Sequence, residues 1–173
     1  MTRFAAILVL CTTIYAAPAA AETAAGKPEA VRKLSRLVGT WNAKGTLKMG
    51  KEVANLTATW TCQSGAGGFG IRCQLALKGI PGLGLYEEMD IMGFDPGDGL
   101  VHWYSVTNAG ETHDHKGSWD GDNLQVTFTG PKDGALYTER VTIKPAGKGS
   151  IRITAAVFEG HKEGPFFDLT ASK

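Results

Sequence analysis

Leu56-Thr57-Ala58-Thr59-Trp60-Thr61-Cys62 alternates apolar and hydroxyl side chains without a break. In an extended chain Leu56, Ala58, Trp60 and Cys62 share one face, and Thr57, Thr59 and Thr61 share the other. Successive side chains of a strand point to opposite sides, so this period of two reads as a half-buried strand. The same rhythm recurs downstream. Ile71, Cys73, Leu75 and Leu77 keep it, as do Leu124, Val126 and Phe128, and then Ile151, Ile153, Ala155 and Val157.

Turn signals separate these runs at short intervals: Met49-Gly50-Lys51, Asp95-Pro96-Gly97-Asp98-Gly99, Asn108-Ala109-Gly110, Asp120-Gly121-Asp122, Lys132-Asp133-Gly134 and Pro145-Ala146-Gly147. Asp-Gly between alternating segments is a strong hairpin signal. The punctuation predicts about ten strands, near 43–48, 52–62, 69–78, 84–93, 100–107, 111–119, 123–129, 135–144, 150–159 and 165–171. Many short strands joined by hairpins imply a sandwich or an up-and-down barrel. No repeat or linker divides the chain, so one domain over 22–173 is expected.

One stretch departs from this period. Val31, Leu34, Leu37 and Val38 have helical spacing between Pro28, suited to a first helical position, and Gly39, suited to a stop. A short helix over 28–38 is therefore expected ahead of the first strand.

The beginning of the chain is of another kind. Met1-Thr2-Arg3 precedes an apolar run from Phe4 to Ala17, and Ala19-Ala20-Ala21 precedes Glu22. A basic start, an apolar middle and a small-residue site read as a secretory signal peptide over 1–21. The apolar run is shorter than the roughly 20 residues that cross a bilayer, so cleavage and export to the periplasm or beyond are expected. Cleavage removes one of the 18 Lys and Arg residues, Arg3, and leaves them equal to the 17 Asp and Glu. With no net charge and no basic run, nucleic acid and anionic membranes are not expected partners, nor is stable membrane insertion. Oligomeric state is not legible. Of three cysteines, Cys62 and Cys73 remain after cleavage. They flank the turn Ser64-Gly65-Ala66-Gly67-Gly68 in an oxidising compartment, and are expected to form a disulfide.

Leu34-Ser35-Arg36-Leu37-Val38-Gly39-Thr40-Trp41 places Gly-x-Trp where the helix enters the first strand. Met92-Gly93-Phe94-Asp95-Pro96 follows, then Trp103-Tyr104-Ser105-Val106, Gly110-Glu111 and Gly117-Ser118-Trp119-Asp120-Gly121-Asp122. The first motif resembles the lipocalin (calycin) entry. The ordered set resembles an uncharacterised bacterial family of lipocalin-like exported barrels, over roughly 34–160. The resemblance implies a barrel with Trp41 plugging one end, and no activity. The chain departs from the pattern at Phe167-Asp168-Leu169-Thr170-Ala171-Ser172-Lys173, where no closing arginine stands.

Few residues suggest chemistry. Glu87 falls in phase with Leu85, Met89 and Ile91, and Glu139 with Tyr137, Val141 and Ile143. An inward carboxylate is costly without a partner, so both are candidate ligand anchors unless a bulge or an internal arginine accounts for them. His102 and Tyr104 share a face with Val106, opposite Val101, Trp103 and Ser105; the residues leave open which face is inward. If the first face is inward, His102 and Tyr104 join the anchors. His113 and His115 share a strand face with Glu111, a spacing that fits a metal. The plainer reading is an exposed polar strand start with no metal. No G-x-S-x-G elbow, phosphate loop or dinucleotide fingerprint is present, so neither an enzyme nor a cofactor is expected. The leading expectation is a binding module for a small hydrophobic ligand inside the barrel. A haem barrel using His102 or His161, and a ligand-free envelope scaffold presenting the apolar loop 80–85, are the alternatives.

Overall fold

The alternating runs pair with their sequence neighbours, and the last strand returns to the first. The structure, a computed structural model, describes residues 26–132 and 134–173; the expected signal peptide at 1–21 lies outside them. Helix α1 (Glu29–Ser35) leads into β1 (Gly39–Met49), β2 (Glu52–Gly65), β3 (Gly70–Lys78), β4 (Leu85–Asp95) and β5 (Leu100–Thr107). β6 (Thr112–Asp120), β7 (Asn123–Lys132), β8 (Ala135–Gly147), β9 (Ser150–Glu159) and β10 (Lys162–Ser172) follow. Each strand is antiparallel to the next, and β10 pairs with β1 from Asn42↔Ser172 to Lys48↔Phe166. The result is a closed up-and-down barrel, as expected. Closure leaves no strand edge unpaired, which removes the aggregation risk of an open sheet.

The interior is filled from both phases of the sequence pattern. Leu56, Trp60, Cys62, Ile71, Cys73 and Leu77 are buried, as their alternation predicts, and Leu47 of β1 is buried with them. Cys62 and Cys73 are register partners across β2 and β3 and are disulfide-bonded. β4 runs in the opposite phase to the expected one. Met89 and Ile91 are 56% and 64% exposed, whereas Asp90 and Met92 are fully buried. In β5, Val101, Trp103 and Ser105 are buried and Tyr104 and Val106 are exposed. Met89, which shares its phase with Glu87, therefore sits on the outer wall.

One end of the barrel is sealed by the helix and its exit. Val31 and Leu34 of α1 are buried, and Leu37 and Val38 close a last tight turn through bonds to the carbonyls of Leu34 and Ser35 at 3.0 and 3.2 Å. Gly39 then turns the chain into β1 at φ +130°, a value that side chains with a Cβ rarely adopt. Trp41 is buried beneath this turn and its indole N–H donates to the Leu37 carbonyl at 2.8 Å. The cation over its ring is not an arginine but Lys173, with Nζ 4.5 Å from the centroid. The same ammonium donates to the carbonyls of Val38 at 2.6 Å and Arg36 at 3.1 Å. It thus binds the loose carbonyls at the helix exit and the face of the ring together.

Replacing Trp41 with Ala removes this plug and should cost about 3–5 kcal/mol, as for other buried aromatic residues. Chemical denaturation measures it; an unchanged midpoint would show that the end is closed by other groups.

Candidate functional site

The end opposite Trp41 contains a cavity of about 200 Å³. Its wall is divided. β3, β8, β9 and β10 supply apolar side chains, among them Leu77, Val141, Ile153, Val157, Phe167 and Leu169. β4, β6, β8 and the loop before β6 supply Tyr86, Glu88, Glu111, His113, Tyr137 and Glu139. Ile80, from the apolar loop between β3 and β4, turns inward to the cavity, while Leu83 of that loop stays exposed. Gly79 enters the loop at φ +101° so close to β2 that a Cβ would lie 2.1 Å from the Asn55 carbonyl oxygen.

The polar side is built on the inward phase of β4: Tyr86, Glu88, Asp90 and Met92. Asp90 is fully buried and accepts the indole N–H of Trp103 at 2.8 Å on one oxygen and that of Trp60 at 3.1 Å on the other. The two indoles stack at 5.8 Å with planes 19° apart. Glu88 is hydrogen-bonded to Asp90 and accepts the Tyr86 hydroxyl at 3.0 Å. Burial, the negative charge of Asp90 and the bond to it push Glu88 up to about 9. Burial likewise raises Asp90, against the hydrogen bonds that favour its ionised form. Glu88 therefore carries a proton at neutral pH, beside the indole-bound Asp90. Burial, together with the nearby carboxylates, raises the phenols of Tyr86 and Tyr137, so both stay neutral.

Glu139 lies on the same wall, inward as its phase predicted. Its partner is not an arginine. Its Oε2 accepts from His113 Nδ1 at 3.2 Å and from His115 Nε2 at 3.3 Å. Burial alone would raise this carboxyl, but the two imidazoles overcome it and hold it at about 2. Aromatic contacts fix the rings: His113 stacks on Phe128 at 4.1 Å, and His115 packs edge-on to Phe128 and tilts against Trp103.

Three expected anchors lie elsewhere. Glu87 is exposed, because β4 presents Glu88 inward instead; its backbone N–H donates to the Asn108 side-chain oxygen at 3.0 Å. Tyr104 is exposed on the outer wall beside Ile91. His102 is also on the outside, with its ring nitrogens facing Asp98 at 3.0 Å and Asp114 at 3.3 Å. His113 and His115 are corrected in the other direction. Expected to be exposed, they point inward, with side chains only 12% and 4% accessible. His161 is exposed in the turn before β10. Neither histidine proposed for haem faces the interior.

No protein-family model matches the chain, and no curated protein matches it. Among solved structures it is similar to an S-type phycobiliprotein lyase from Guillardia theta, at 11% identity and a TM-score of 0.48, over 82% of this chain and 89% of that one. The expectation that the chain is no enzyme rested on missing motifs alone and does not stand. Missing sequence motifs do not exclude catalysis.

The proton on Glu88 sets a pH dependence. Its folded value lies above the unfolded one, so the stability it contributes is complete below about pH 4.5 and is lost as pH rises towards 9. Glu88→Gln keeps a donor for Asp90 and an acceptor for Tyr86 with no proton to lose. Denaturant titrations at about pH 5 and pH 8.5 should show a smaller loss of stability in Glu88→Gln than in wild type. Equal losses would place the proton elsewhere.

Proposed function

We propose that this protein is an exported barrel that binds one small amphiphilic molecule in the cavity between β3, β4, β6 and β8–β10. The observation that carries the reading is the division of the wall. A packed scaffold would fill this space with apolar side chains, yet Tyr86, Glu88, His113 and Glu139 border it. Polar groups around an apolar pocket fix the orientation of a ligand.

The dimensions limit the ligand. A cavity of about 200 Å³ is below the roughly 300–1,000 Å³ of drug-sized pockets and near the roughly 150 Å³ that accepts benzene. The ligand is therefore of the size of a single substituted ring or a short branched chain, and haem is too large. Chemistry limits it further. No Lys or Arg borders the cavity among the described residues, and three carboxyl-bearing side chains do: Glu88, Glu111 and Glu139. A carboxylate head would meet repulsion here, whereas a hydroxyl, amide or amine would find acceptors. Of the anchors inferred from sequence, Glu139 stays in this proposal, and Tyr86, Glu88 and His113 replace Glu87, His102 and Tyr104.

Export supports a ligand taken from outside the cytoplasm. It rests on the signal-like start of the chain and on the Cys62–Cys73 disulfide, which suits an oxidising compartment. Among the described residues no helix is long and apolar enough to cross a membrane. Membership of the bacterial lipocalin-like family is part of the same proposal, supported by the Gly39-Thr40-Trp41 entry and its buried tryptophan.

Trp103 borders the cavity, so its fluorescence reports occupancy. Titration with benzyl alcohol, benzylamine and benzoate should change the emission, with benzoate weaker by roughly tenfold or more. Ala155→Trp, which fills the cavity from β9, should abolish the change in response to added ligand. If none of the three shifts wild-type emission, or if the filled variant binds equally, the proposal fails.

A further inference from the structure

The two inward histidines and Glu139 do more than neutralise one another. His113 Nδ1, His115 Nε2 and a carboxylate oxygen of Glu139 lie within 4.8 Å of one another. Both imidazoles direct a nitrogen at the same oxygen, at 3.2 and 3.3 Å. These distances are long for hydrogen bonds to a carboxylate, which settle near about 2.8 Å. They equal the separation of roughly 3.3 Å between donor atoms of a tetrahedron whose metal bonds are about 2.0–2.1 Å long.

Three further observations belong to the same site. His115 is buried and its Nδ1 has no hydrogen-bond partner, so all polar interactions of this ring fall on Nε2. A single long contact is little return for burying an imidazole. The rings are also held in place before any ligand arrives, His113 by its stack on Phe128 and His115 between Trp103 and Phe128. A metal would therefore cost little reorganisation on binding. Lastly, His113 and Glu139 border the cavity while His115 lies behind them.

We propose that His113, His115 and Glu139 bind one zinc ion, with the remaining coordination position open to the cavity. Two neutral imidazoles and one carboxylate form a donor set that suits Zn²⁺, which imposes no geometry of its own. Three protein ligands with a fourth position left open is the arrangement of zinc sites that take an exogenous ligand. The third ligand comes from β8, two strands away from the histidines of β6. Glu111, which shares their strand face in sequence, lies on the cavity wall instead. The site goes beyond the binding of an organic ligand and does not depend on it.

Zinc alone is the probe. Full-length mature protein stripped with a chelator should bind one Zn²⁺ per chain in equilibrium dialysis, with no organic ligand present. Its thermal midpoint should rise with zinc concentration, since the ion binds the folded state. His113→Ala and Glu139→Gln should each weaken binding by more than the roughly 10–100-fold typical of losing an outer-shell partner. His102→Ala should leave it unchanged, which separates this site from the exposed Asp95, Asp98 and His102 group on the outer wall. Cobalt(II) in the unmutated protein supplies a readout that needs no variant: intense visible bands of tetrahedral coordination are expected. Lack of stoichiometric zinc binding, loss of it in His102→Ala alone, or a weak octahedral cobalt spectrum would each overturn the proposal.

Discussion

The structure depends on one buried carboxylate. Asp90 has no access to water and meets the indole N–H groups of Trp60 and Trp103 from two other strands. An ionised carboxyl in a dry interior is tolerated only when its lone pairs are taken up. The two indoles do this and are themselves satisfied by it, so two large aromatic residues can be buried at mid-barrel without an orphaned donor. Glu88, one inward position nearer the cavity, keeps its proton beside this group.

That constraint polarises the whole interior. β4, β6 and the start of β8 carry the acids, phenols and imidazoles, and β9, β10 and β1–β3 carry mostly apolar side chains. Lys173 covers Trp41 at the sealed end, and the cavity lies towards the opposite one. Trp103 and Glu88 both line the cavity and both contact the Asp90 network. The carboxyls of Glu88 and Glu139 are held in opposite states on the polar wall: one neutral and donating, the other ionised and shared by two imidazoles. This gives the cavity both donors and acceptors without a fixed positive charge from lysine or arginine.

The architecture was legible because it rests on period and punctuation. The Leu56–Cys62 run, the Asp-Gly turns and the disulfide pair all follow from local rules. The site was legible only at Glu139. In β4 the segment Leu85-Tyr86-Glu87-Glu88-Met89-Asp90-Ile91-Met92 carries apolar residues in both phases. Hydropathy favoured Leu85, Met89 and Ile91 as the inner face, but a barrel interior with a polar half reverses that choice. The signal that was present is the spacing of Tyr86, Glu88 and Asp90 on one face, matched by two tryptophans needing acceptors. His113 and His115 were recognised as a same-face pair. Their inward direction depends on Glu139, 24 residues beyond His115 and two strands away. No local pattern encodes that meeting.

The most direct measurement is the carboxyl carbon NMR shifts of Glu88 and Asp90 across a pH titration. At neutral pH the Glu88 carbon should stand at its protonated position and titrate near 9. If both carboxyls are ionised at neutral pH, the interior is not the dry, half-polar space described, and the cavity chemistry derived from it falls.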